Sequence, residues 1–149
     1  MRAVLQRVSK ADVSVDGVVI GAIQAGLLVY MGVGPQDTES DAEYVANKIR
    51  YLRVFPDEAG KMNLDVAQIG GGVLLVSNFT LFADIRQGRR PAFTDAAAPE
   101  LAERLYELVS SGLRALGVPV ETGRFGAMMM VSSENAGPIN ILLDSHKAF

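Results

Sequence analysis

Val13-Ser14-Val15-Asp16-Gly17-Val18-Val19-Ile20 is the stretch on which the fold turns. β-Branched residues flank an Asp-Gly pair, the dipeptide best suited to a two-residue hairpin turn. It reads as two antiparallel strands. Toward the N-terminus, residues 2–9 alternate and read as a strand. Toward the C-terminus, Leu27-Leu28-Val29-Tyr30-Met31-Gly32-Val33 is an apolar run and reads as a buried strand. The period then changes. Ala42, Val45, Ala46, Ile49 and Leu52 recur at helical spacing, with Thr38 or Ser40 as N-cap and Pro56 as the stop. Residues 60–72 are polar and glycine-rich and read as loop, and Val73-Leu74-Leu75-Val76 as a buried strand. A second helix starts near Pro99, carries Leu101, Leu105, Leu108, Val109 and Leu116 as its apolar stripe, and ends at Gly117 and Pro119. Val118–Glu121, Met128–Val131 and Ile139–Leu143 read as strands. Strands that do not alternate strictly with the two helices predict an α+β fold. No repeat, linker or low-complexity tract divides residues 1–149, so one domain is expected.

Composition narrows the chemistry. Of 149 residues, 49% are hydrophobic and 21% charged, ordinary for a globular protein. No apolar run reaches the ~20 residues that span a bilayer, and the first residues do not pattern as a signal peptide. A soluble, cytoplasmic protein with no membrane partner is expected. The chain has no Cys, which excludes disulfides, thiolate nucleophiles and Cys-bound zinc. Its one His is His146, near the end. A Ser-His-Asp site would have to use it, and a multi-His metal site cannot form within one chain. Hydrolysis, if present, is expected to run without an imidazole base, a metal or a cofactor. The net charge of −3 argues against broad, salt-driven binding to nucleic acid but permits a small basic patch. Lys48, Arg50 and Arg53 read as solvated surface charge. Arg86, Arg89 and Arg90 stay open between that reading and a patch near residues 77–81.

Two short loops carry candidate chemistry. Ser77-Asn78-Phe79-Thr80-Leu81 follows a buried strand, so the chain leaves the sheet there. Ligands gather at such strand ends, and turning backbone can aim N–H groups at a developing oxyanion. Read alone, the loop is a strand end with a capping Ser and a buried Phe79. Asn135-Ala136-Gly137-Pro138, read alone, is a turn, because Asn, Gly and Pro are common turn residues. X-Pro bonds are cis in only ~5–6% of folded cases, so the sequence itself does not predict a cis bond.

With Met1-Arg2-Ala3-Val4-Leu5-Gln6-Arg7-Val8 and Gly88-Arg89-Arg90-Pro91-Ala92-Phe93, these loops resemble the D-aminoacyl-tRNA deacylases over essentially the whole chain. The resemblance implies a three-layer β/β/α fold, with two mainly antiparallel or mixed sheets and two principal helices. It implies hydrolysis of the ester between a D-amino acid and tRNA, a partner recognised at its 3′-terminal adenosine, by a homodimer that proofreads chirality. It implies that the Gly137-Pro138 bond is cis and that this loop enters the partner subunit's site. Ser77, Asn78, Phe79 and Thr80 are then the expected catalytic residues, with Thr80 positioning rather than attacking. Gly137, Pro138, Phe125, Met129 and Arg7 are the expected substrate-binding residues. Arg7 stays open between bracing the Gly-Pro loop through its carbonyls and standing as an edge-strand arginine. Phe125 stays open between stacking on adenine and core packing. Two positions depart from the family pattern: Asn78 stands where Gln is usual, and Ile139-Asn140 where Val-Thr is usual. Two other readings are a deacylase of glycine mischarged on tRNA and a non-catalytic, dimeric RNA-end-binding protein.

Overall fold

A computed structural model describes all of residues 1–149. The hairpin forms, but its first arm is far longer than the alternation suggested: β1 is Arg2–Val15, joined by Asp16-Gly17 to β2, Val18–Ile23. β3 (Gly26–Gly32) returns antiparallel to the first half of β1, pairing Arg2 with Gly32 and Val8 with Gly26. β2 pairs with the second half, from Ala11 with Ile23 to Val15 with Val18. One edge of β1 is thus shared by two strands. α1 (Glu39–Tyr51), the short β4 (Phe55–Pro56) and β5 (Met62–Leu64), and β6 (Gly72–Ser77) follow. β6 runs parallel to β3, and after α2 (Pro99–Ala115), β7 (Val120–Thr122) runs parallel to β6. The last strand, β8 (Met130–Asp144), lines the other edge of β1. Of the expected strands, 139–143 and the second half of 128–131 are stretches of this one, while Met128 and Met129 precede it outside any strand. Within the stretch expected to be loop, β5 pairs with β4 as a separate two-stranded ribbon.

Side-chain alternation explains the layers. Leu27, Val29 and Met31 of β3 and Val73 and Leu75 of β6 point one way, against Val45 and Ile49 of α1 and Leu105, Val109 and Leu113 of α2. Leu28 of β3 and Leu74 and Val76 of β6 point the other way, into a second core with Val8, Ala11 and Val13 of β1 and Ile23 of β2. The second half of β1 carries β2 over this face. The result is an α+β fold of helices, sheet and folded-over sheet, with the six-stranded sheet continuous through β1. Leu108, expected in the α2 stripe, is 38% exposed, because Leu105, Val109 and Leu113 define the buried face. α1 begins at Thr38, whose N–H and hydroxyl donate to Asp41 Oδ2 at 2.8 and 2.9 Å. Arg50 is not a solvated charge: it pairs with Asp65 at 2.8 Å and donates to the Leu116 carbonyl at 3.2 Å. No helix is long and apolar enough to cross a membrane.

Candidate functional site

β6 ends at Ser77, opposite Met31 of β3. The Asn78 N–H donates to the Met31 carbonyl at 2.8 Å, the last tie to the sheet. The chain then winds into one 3-10 turn, Phe79–Phe82, which the sequence pattern did not reveal. Asn78 is its cap. The Asn78 Oδ1 accepts the Thr80 N–H at 3.1 Å and the Thr80 hydroxyl as well. The shorter amide at position 78 therefore serves its own turn. With the Thr80 N–H occupied, the Phe79 N–H, one of the donors a helix start leaves unmatched, is the donor the turn has to offer. Phe79 is 58% exposed, which corrects the buried Phe79 expected of a plain strand end. Its ring meets the edge of Phe93 at 5.0 Å.

These residues form one side of a cavity of about 780 Å³. Ser77, Asn78, Phe79, Thr80, Phe125 and Met129 all line it. Other lining residues were not foreseen: Phe93, Ala96, Ala97 and Ala102, from the segment before α2 and its first turns. Phe93 closes a motif quoted above, while the small size of the alanines was the only available signal for theirs. Phe125 leans on the Tyr106 ring at 6.1 Å, so it both packs on the core and faces the cavity. The only ionisable side chains in the lining are Tyr30 and Tyr106. Burial raises both phenols. The Tyr106 hydroxyl is moreover committed, donating to the Leu75 carbonyl at 2.7 Å. The cavity holds no carboxylate, imidazole or amine that could act as a base near neutral pH.

Gly137, Pro138 and Arg7 lie outside this cavity. Between Val8 paired with Asn135 and Gln6 paired with Asn140, β1 has one residue, Arg7, and β8 has four, 136–139. The excess bulges out, with Gly137 and Pro138 exposed and their peptide bond cis. The Arg7 Nε donates to the Ala136 carbonyl at 3.0 Å, and its Nη1 to the Val54 carbonyl at 2.7 Å. The Asn135 amide donates to Asn140 Oδ1 at 2.7 Å and accepts the Ile139 N–H at 3.1 Å. Asn140 thus ties the two ends of the bulge where the family usually has Thr. Gly137 has φ +130°, and a Cβ there would come within 3.1 Å of Arg7 Nη2 and 2.9 Å of Ile139 Cγ1. His146 does not line the cavity; its Nε2 sits 2.7 Å from Asp37 Oδ1, beside the Met1 ammonium at 2.6 Å from the same oxygen.

Residues 4–144 match the family model described as D-Tyr-tRNA(Tyr) deacylase. The chain belongs to that family. Among curated proteins, the D-aminoacyl-tRNA deacylase of Thermosipho melanesiensis is 55% identical over 100% of both chains, and that of Koribacter versatilis 56% identical over the same share. A solved structure named c-Myc DNA Unwinding Element Binding Protein superposes with a TM-score of 0.91 at 39% identity, covering 97% of this chain and 98% of its own. A probable eukaryotic D-amino acid tRNA deacylase shares the fold, with a TM-score of 0.84 at 16% identity over 95% of this chain and 97% of its own.

Proposed function

We propose that the chain hydrolyses the ester of D-aminoacyl-tRNA, releasing free D-amino acid and tRNA, and that it works as a cytoplasmic homodimer. The carrying observation is the cavity: apolar, free of ionisable bases, and edged by a turn with an open N–H, in a chain of the deacylase family. An aminoacyl ester is already a reactive acyl donor. It needs a placed water, a donor for the developing oxyanion and a route for the proton. The Phe79 N–H supplies the donor, and Thr80, held by Asn78, positions the attacking water. Water adds to the ester carbonyl and the bond to the ribose 3′-oxygen breaks. The proton passes to that oxygen with help from the neighbouring 2′-hydroxyl of the substrate. Phe79, Phe93 and Phe125 offer faces on which the terminal adenine can stack.

Chirality is assigned to the Gly137-Pro138 loop of the partner subunit. Its bulge is exposed and lies outside its own protomer's cavity. β8, whose only partner is β1, leaves a 15-residue edge open, with Met130 75% and Leu142 62% exposed. Such edges invite pairing, and a two-fold contact would deliver each loop to the other subunit. Backbone carbonyls there would hold the substrate ammonium. With ammonium and ester both fixed, a D-side chain points outward and an L-side chain points into the wall. Rejection by backbone ignores side-chain identity, so many D-amino acids are substrates, and glycine mischarged on tRNA also enters.

The second reading is nucleic-acid binding without chemistry. The name of the solved relative at 39% identity favours it. Incubation with D-Tyr-tRNA separates the two. Catalytic release of free D-Tyr supports the deacylase; tight binding with the ester left intact supports the second reading.

A further inference from the structure

We infer that Arg89 and Arg90 bind backbone phosphates of the single-stranded tRNA end whose terminal residue enters the cavity. This rests on the deacylase reading and adds the residues that seat the polyanion. The segment between the 3-10 turn and α2 is a hairpin clamped at its base, where Asp84 and Ala92 exchange backbone hydrogen bonds of 2.8 and 2.9 Å. One residue beyond that clamp, Phe93 packs on Phe79 and lines the cavity. The hairpin is therefore fixed to the cavity wall.

Three arginines ride on it, and they are not equivalent. Arg86 folds back on Asp84, with Nε and Nη2 donating to the two carboxylate oxygens at 2.9 and 2.7 Å. Its charge is neutralised locally. Arg89 and Arg90 are exposed and make no ion pair or side-chain hydrogen bond. The hairpin keeps one arginine for its own shape and leaves two guanidinia free on a loop rooted one residue from the cavity lining. Arg124 is exposed and also unpaired, and adjoins Phe125 of the lining in the chain. In a protein of net charge −3, three exposed guanidinia without a carboxylate partner on segments that adjoin the cavity lining make a local cationic patch that attracts an anion. The anion that follows a terminal adenosine into an apolar cavity is the phosphate chain behind it. Guanidinium is the cation best shaped for it.

The test compares wild type with the double variant Arg89→Gln/Arg90→Gln. Lys61→Gln/Lys147→Gln is the charge-matched control, on segments that do not line the cavity. Two substrates are used, D-Tyr-tRNA and the phosphate-free ester D-Tyr-adenosine, and affinity for uncharged tRNA is followed by fluorescence anisotropy from 50 to 200 mM salt. Each lost contact to a single strand flattens the salt slope by about 0.7, so two contacts make the variant about sevenfold less salt-sensitive over this fourfold range. Expected is weaker tRNA binding, a lower kcat/KM on D-Tyr-tRNA and an unchanged rate on D-Tyr-adenosine, with the lysine control like wild type. An unaltered salt slope and affinity would overturn the proposal. So would a parallel loss on D-Tyr-adenosine, which would make the hairpin a support for the cavity only. Wild-type protein that hydrolyses neither ester would defeat the deacylase reading, and the tRNA salt slope would still decide this one.

Discussion

Thr80 has its hydroxyl and its N–H both turned to Asn78 Oδ1, and no base lies in the cavity to draw its proton away. A nucleophilic hydroxyl needs such a base. Thr80→Ala should therefore slow hydrolysis by roughly tenfold to a hundredfold, as loss of positioning does, without abolishing it. Mass spectrometry of enzyme quenched during turnover should show no acyl group on Thr80. Gly137 is the other position where one atom decides. A methyl there meets Arg7 and Ile139, on a backbone with φ +130° that L-residues rarely adopt. Gly137→Ala should keep the fold and lose most D-aminoacyl-tRNA hydrolysis. Full activity in that variant, measured beside its circular dichroism, would remove the loop from the site. The sequence exposed these residues unevenly. Ser77–Thr80 could be picked out because a polar group follows a buried run. The Asn78 cap could not, since nothing local tells a capping amide from one that reaches for substrate.

Among the elements, α1 carries the clearest pH signature. Burial alone would raise the Asp41 carboxyl. Hydrogen bonds from Ser145 and from the Thr38 N–H and hydroxyl, with the nearby N-terminal charge, more than offset this and lower it to about 2. A lowered folded-state pKa means stability present above the ordinary carboxylate range and lost as pH falls through about 2. Asp41→Asn should flatten the stability loss between about pH 4 and pH 2, read as urea midpoints against pH. Thr38→Ala should cost about 1 kcal/mol at neutral pH, the usual worth of an N-cap. The element types were largely legible, because each has a clean period. Their lengths were not. β1 and β8 pair with each other through bulges at Ser9 and at 136–139, which shift the register and break the alternation on which a strand is recognised. The short ribbon of β4 and β5 is held by pairing across the chain, and its residues carry no periodic signal.

At the scale of the whole molecule, the Gly137-Pro138 loop does not line its own protomer's cavity, while the proposed chiral filter requires the two together. A two-fold dimer is expected at micromolar concentration by light scattering; a fully active monomer would contradict it. The α+β class could be anticipated from the order of strands and helices, and the three-layer arrangement from the family resemblance. The assignment of the loop to the other subunit came from the family resemblance alone, since sequence adjacency says nothing about a second copy. Attack by a positioned water, with the Phe79 N–H at the oxyanion and the ribose hydroxyl carrying the proton, needs no metal, so EDTA should leave the rate unchanged. The most direct test follows release of amino acid from D-Tyr-tRNA and L-Tyr-tRNA side by side, with the wild-type dimer in EDTA. Turnover of the D-ester is expected while the L-ester persists at the same enzyme concentration. Equal loss of both esters, or a D-rate abolished by EDTA and restored by a divalent ion, would contradict a metal-free chiral filter.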